Sequence, residues 1–244
     1  MAEPAATTAR CSGFISATHI FLVHGVCHGG WCWYKVVARL RRLRPPAAGR
    51  VVALDLAASG ADGRQLREVP TFRDYTAPLL DALRSLPDGE RAVLVGHSLG
   101  GLSVALAAEE FPDKVAAAVF LCAFMRDCTS PPGHALLQIH KGANRESQVD
   151  NETKPQDRDG KLPASFMFGP QFTAQNVYQL CSKEDITLAK SLMRIGSVFL
   201  EDLQAMEPLS MDRYGSVRKV YIVCKQDRTL PEEFQVDGVP QPGG

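Results

Sequence analysis

Gly96-His97-Ser98-Leu99-Gly100 follows the apolar run Ala92 to Val95 and precedes a helical apolar pattern that ends at Phe111. Strand, G-x-S-x-G and helix in that order is the context of a nucleophile elbow, where a serine sits in a strained turn with its hydroxyl exposed. Ser98 is therefore the candidate nucleophile of an acyl transfer, near the positive end of the helix that follows it. Acyl transfer needs two N–H donors aimed at the developing oxyanion. The residue after the nucleophile, Leu99, supplies one. The glycine-rich turn His24-Gly25-Val26-Cys27-His28-Gly29-Gly30, after the strand Ile20 to Val23, supplies the other, assigned to Val26. The acid belongs just beyond a late strand. Asp227, three residues past Cys224, is the first candidate, and Asp127, beyond the strand that ends at Ala123, is the alternative.

The expected chain order is Ser, Asp, His, yet no histidine follows Asp227. The six histidines are His19, His24, His28, His97, His134 and His140. His97 is expected to point away from the Ser98 hydroxyl, which leaves His134 or His140 to approach it from above. His24 and His28 are four residues apart, but glycines on both sides exclude a helical metal pair, so they are read as loop-structuring groups. No metal site and no cofactor are expected.

These residues need a frame to hold them. Short apolar, β-branched runs at His19 to Val23, Val51 to Leu54, Ala92 to Val95, Val115 to Ala123 and Val217 to Cys224 read as buried strands. Helical periodicity at Trp31 to Leu43, Phe72 to Leu86 and Leu99 to Phe111 lies between them. The alternation predicts a mostly parallel sheet covered by helices on both faces. It stops between Met125 and Tyr214, where prolines punctuate a polar stretch and helical patterns return at Glu184 to Met193 and Val198 to Met206. That stretch is read as an insertion over the sheet, mobile across Asn144 to Lys161. The expected organisation is a loose arm at 1–18, a core at 19–125 and 211–235, a cap at 126–210 and a disordered tail at 236–244.

Composition narrows the function classes. The 244 residues carry 27 Lys plus Arg against 27 Asp plus Glu, so no net field draws nucleic acid to the chain. With 45% hydrophobic and 22% charged residues the composition is that of a folded globular protein. The longest apolar runs are about ten residues, short of the roughly 20 that span a bilayer. The first eighteen residues lack a secretory apolar block, and one arginine there is too few for a transit peptide. Seven cysteines without a CxxC fit a reduced, cytoplasmic compartment, with Cys122 and Cys224 as inert packing residues.

Four segments carry a closer resemblance: His24-Gly25-Val26-Cys27-His28-Gly29-Gly30-Trp31-Cys32-Trp33-Tyr34-Lys35, Ala53-Leu54-Asp55-Leu56-Ala57-Ala58-Ser59-Gly60, Gly96 to Gly101, and Val220 to Asp227 continuing through Pro231 to Gln235. From about His19 to Gln235 the chain resembles the plant methylesterase and hydroxynitrile lyase family of α/β-hydrolases. The resemblance implies an α/β-hydrolase fold with a helical cap, Ser98 as nucleophile, Asp227 as triad acid, and Val26 with Leu99 as oxyanion donors. It implies small methyl esters such as methyl salicylate, methyl jasmonate and methyl indole-3-acetate as substrates. Lyase members carry a hydroxyl residue where Gly25 stands, so Gly25 points to the esterase branch. The family continues past Gln235 into a helix, a last strand and a segment bearing the triad histidine. Here the chain departs after Gln235, so weak or absent activity and an uncovered edge at Val220 to Cys224 are expected. The rival readings are a non-catalytic binder of a small acid and a nonfunctional truncated isoform. Expected partners are a small ester or acid, with no nucleic acid and no membrane, and room is left for a homodimer.

Overall fold

The computed structural model describes residues 19–43, 49–134, 136–137, 150–157 and 162–237. The expected arm at 1–18, most of the segment 144–161, His140 and residues 238–244 lie outside them.

Five strands form one parallel sheet: β1 (His19–Val23), β2 (Arg50–Leu54), β3 (Ala92–Ser98), β4 (Val115–Ala123) and β7 (Lys219–Ile222), in the order β2-β1-β3-β4-β7. β1 sits between β2 and β3, with Ile20 opposite both Val51 and Val93. α2 (Phe72–Arg84) and α3 (Gly100–Glu110) pack on one face over Phe21, Leu94, Ala118 and Phe120. α3 is buried from Gly100 to Ala108, as a helix packed against the sheet must be, and reaches the surface at Glu109 and Glu110. α1 (Tyr34–Leu43) covers the other face, where Leu22, Trp33 and Val51 make a smaller cluster with Val37, Leu40 and Val95 around it. This is the doubly covered parallel sheet that the alternating runs predict.

Boundaries moved where tertiary contacts intervene. The pattern from Trp31 begins as a 3₁₀ turn, Gly30–Trp33, because the Gly30 N–H is drawn to Asp55 Oδ1 at 2.7 Å. β7 is shorter than Val217 to Cys224, since Val217 N donates to Tyr214 O and Cys224 turns into the loop that follows. Val236 and Asp237, placed in the expected tail, belong to α6 (Glu232–Asp237).

Between β4 and β7 the two helical patterns appear as α4 (Lys183–Leu192) and α5 (Leu200–Ala205). The Ser182 hydroxyl caps α4 by accepting from Asp185 N at 3.2 Å. A two-stranded antiparallel ribbon, β5 (Glu152–Lys154) with β6 (Ser165–Met167), was not anticipated. β5 lies inside the segment expected to be mobile. Two strands of three residues are too short for a period to show. Among the described residues no helix is long and apolar enough to cross a membrane.

Candidate active site

β3 delivers the chain into α3 through Ser98, whose φ of +53° is the left-handed conformation of a strained elbow. A Cβ on Gly96 would lie 2.6 Å from the Gly100 carbonyl oxygen, so the turn closes only with glycine there. Leu99 is the N-cap residue of α3 and is buried. Its N–H is among those that a helix start leaves without an intrahelical partner. Gly25 and Val26 come from the turn after β1, pressed against the elbow. Among the described residues neither the Val26 nor the Leu99 amide donates to a protein acceptor.

These groups meet in a cavity of about 360 Å³ lined by Gly25, Val26, Ser98 and Leu99 below and by Phe166, Phe168 and Phe172 from the inserted segment above. Phe166 meets Phe168 edge to face at 4.8 Å, and Phe168 stacks on Phe172 at 5.6 Å. The spacing of these phenylalanines in a stretch punctuated by glycine and proline was the available signal for an aromatic wall. Sequence reasoning passed over it. Among the described residues no lysine or arginine lines the cavity, and Glu201 is the one carboxylate there.

Asp227 is not in the cavity wall, although Thr229 and Leu230 of its loop are. Its Oδ1 accepts from Thr229 N at 2.8 Å, Thr229 Oγ1 at 2.7 Å and Leu230 N at 2.7 Å. The buried Gln235 side chain closes that loop, accepting from Cys224 N at 2.9 Å and donating to Cys224 O at 3.0 Å and Leu230 O at 2.6 Å. Asp127, the alternative acid, caps its own turn through Thr129 N and Ser130 N and does not reach the cavity. His97 contributes to the cavity lining, its carbonyl oxygen on the Gly25 side and its ring edge-on to Trp33 at 6.3 Å. Burial pushes its pKa down, against the opposing charge of Asp227. His134 is exposed and outside the cavity wall.

His24 and His28 are buried in the turn after β1. His24 Nδ1 lies 2.7 Å from Gly25 O, and its Nε2 accepts from Leu56 N at 3.1 Å. His28 Nδ1 lies 2.8 Å from Val26 O, and its Nε2 lies 2.9 Å from Tyr178 Oη. Burial lowers their pKa values to about 4 and about 3. Among the described residues no group of three or more His, Cys, Asp or Glu side chains could hold a metal ion.

The inserted segment is fastened over this turn. Arg194 N donates to Cys27 O at 3.1 Å. The Arg194 guanidinium collects three carbonyls of the loop after β2: Gly60 O at 3.1 Å, Asp62 O at 2.6 Å and Arg64 O at 2.7 Å.

A strand, a left-handed serine and a buried helix under an aromatic-roofed cavity define an α/β-hydrolase. A family profile described as Alpha/beta hydrolase family matches residues 20–243, and the chain belongs to that family. Within it the chain falls among the methylesterases. It is 47% identical over 217 residues to salicylic acid-binding protein 2 of Nicotiana tabacum, covering 89% of this chain and 82% of that one. It is 45% identical over 226 residues to methylesterase 1 of Arabidopsis thaliana, covering 91% and 84%. The crystal structure of polyneuridine aldehyde esterase superposes with a TM-score of 0.86 at 39% identity, covering 91% of this chain and 86% of that one.

Proposed function

We propose that the chain carries the active site of a carboxylic-ester hydrolase for small apolar methyl esters. The observation that carries this reading is the left-handed Ser98 on the floor of an aromatic cavity, beside the Val26 and Leu99 amides. Ser98 Oγ attacks the ester carbonyl while its proton passes to a base, and the two amides receive the oxyanion. The tetrahedral intermediate expels methanol, and water then releases the acid from Ser98. Asp227 is the acid that orients the base, and residues 126–210 form the cap. The location proposed is cytoplasmic, in keeping with six described cysteines that are all free.

Cavity and chemistry agree on the substrate. The volume, near the lower end of the roughly 300 to 1,000 Å³ typical of ligand sites, suits one ring or a short chain. Methyl salicylate and methyl jasmonate fit that description. A neutral ester needs no counter-ion, and among the described residues no cationic side chain lines the cavity to hold a carboxylate.

The base is the open part of the constellation, because no histidine follows Asp227 in these 244 residues. Loss of one comparable triad member costs on the order of 10⁶ in turnover. A polypeptide of this sequence should therefore hydrolyse methyl salicylate far below 1 s⁻¹, with a residual rate abolished by Ser98→Ala. Joining the histidine-bearing segment implied by the resemblance after Gln235 should raise the rate by orders of magnitude, dependent on Ser98 and Asp227. A turnover near 1 s⁻¹ from the 244 residues alone would overturn this account of the base and direct attention to His134 and His140. A second reading of the same cavity is a non-catalytic binder that holds a small carboxylate against the Val26 and Leu99 amides. Saturable salicylate binding without turnover in the extended protein would establish that reading instead.

A further inference from the structure

The Val26 N–H belongs to the Gly25–Val26 peptide group, so whatever holds Gly25 O sets where that N–H points. Two donors converge on Gly25 O: His24 Nδ1 at 2.7 Å and His28 N at 3.3 Å. The next peptide group, Val26–Cys27, is held at Val26 O by His28 Nδ1 at 2.8 Å. The tautomers follow from the partners. Leu56 N–H can only donate, so His24 Nε2 must carry the lone pair and Nδ1 the proton. Val26 O can only accept, so His28 Nδ1 carries a proton, and in the neutral ring Nε2 accepts from the Tyr178 hydroxyl.

Resting on the assignment of Ser98 and Val26 made above, we propose that His24 and His28 are positioning residues. As paired Nδ1–H imidazoles they clamp the two peptide groups flanking Val26 and aim its N–H at the oxyanion, with Tyr178 of the inserted segment locking the second ring. Neither ring is free to turn. His28 is stacked between Trp31 at 5.3 Å and Tyr178 at 5.9 Å, and His24 meets Tyr75 edge-on at 6.4 Å. Cys27, immediately after Val26, holds a φ of +64°. For a residue with a side chain this persists only where the surroundings enforce it. The bond that His24 donates to Gly25 O also withdraws electron density from the same amide, which strengthens Val26 N–H as a donor.

The test uses the 244-residue chain and two probes. Phenylboronic acid forms a B–O bond to Ser98 Oγ, the serine proton leaves to solvent, and the anionic tetrahedral adduct occupies the oxyanion position. Methyl benzoate is the neutral ligand that forms no adduct. Nitrogen-15 shifts should show both rings protonated at Nδ1 and bare at Nε2. Tyr178→Phe, which removes one hydroxyl, should leave the His28 ring less firmly held and weaken phenylboronic acid about tenfold while methyl benzoate stays within twofold. His24→Asn should act in the same direction, and Tyr178→Phe carries the test if that variant does not fold. A proton on Nε2 of either ring, or equal weakening of both probes, overturns the clamp. Tetrahedral boron that survives Ser98→Ala, or is absent from the unaltered chain, instead counts against the Ser98 assignment, while the ring nitrogens still decide the tautomers.

Discussion

A methyl group on Gly25 would lie 2.9 Å from Ser98 Cβ and 3.4 Å from its Oγ, with the His97 carbonyl oxygen 3.4 Å away. The absence of a side chain there keeps the serine hydroxyl clear. Gly25→Ala should slow phosphonylation of Ser98 by on the order of 10²-fold, the scale of a small misplacement of reacting groups, with circular dichroism unchanged. An unaltered labelling rate would show that the elbow has slack. The two buried imidazoles make a second prediction at this scale. Their folded pKa values, about 4 for His24 and about 3 for His28, lie below the ordinary 6.5. Below pH 6.5 the unfolded chain therefore binds protons that the folded chain refuses, and stability falls as pH drops toward 4. At about 1.4 kcal/mol per pKa unit, His24 alone accounts for roughly 3 kcal/mol. Urea midpoints at pH 7 and pH 4.5 measure this, and coincident midpoints would refute it.

At the scale of elements, the segment between β4 and β7 is fastened to the turn after β1 through the Arg194 backbone and to the loop after β2 through the Arg194 side chain. Arg194→Ala leaves three carbonyls without their charged donor, each such bond being worth about 1.5 to 3 kcal/mol at most and less where water reaches it. A loss of about 2 to 4 kcal/mol is expected, with faster amide exchange at Gly60 to Arg64. Unchanged exchange there would mean that the loop after β2 holds itself. These contacts also mark where sequence reasoning stopped. The sheet was legible because five apolar runs with glycine and proline between them admit little else, and Ser98 because the motif sits between a strand and a helix. The aromatic wall of Phe166, Phe168 and Phe172 was not, because its pieces are single turns and three-residue strands without a measurable period. Nor was the Tyr178–His28 bond, which joins residues 150 positions apart and is set by folding rather than by spacing.

Across the whole molecule the sheet is uneven. β1 and β3 have partners on both sides, whereas among the described residues β7 pairs only with β4, and its Val220 and Ile222 are 41% and 46% exposed. An apolar strand with an open edge pairs with other chains. Val220→Lys with Ile222→Lys should reduce aggregation on heating at little cost to the melting midpoint, measured by light scattering and calorimetry, and undiminished aggregation would place the adhesive surface elsewhere. Uneven partnering also has a thermal consequence. Cooperative units with the least surrounding structure open first, so amide exchange should be fastest in β7 and the loop after it and slowest in β1 and β3. Ser98 rides on the slow unit and Asp227 on the fast one. On gentle warming the loop that bears Asp227 would open while Ser98 still stood in place, so any chemistry that draws on both residues would end some degrees below the temperature at which the protein unfolds.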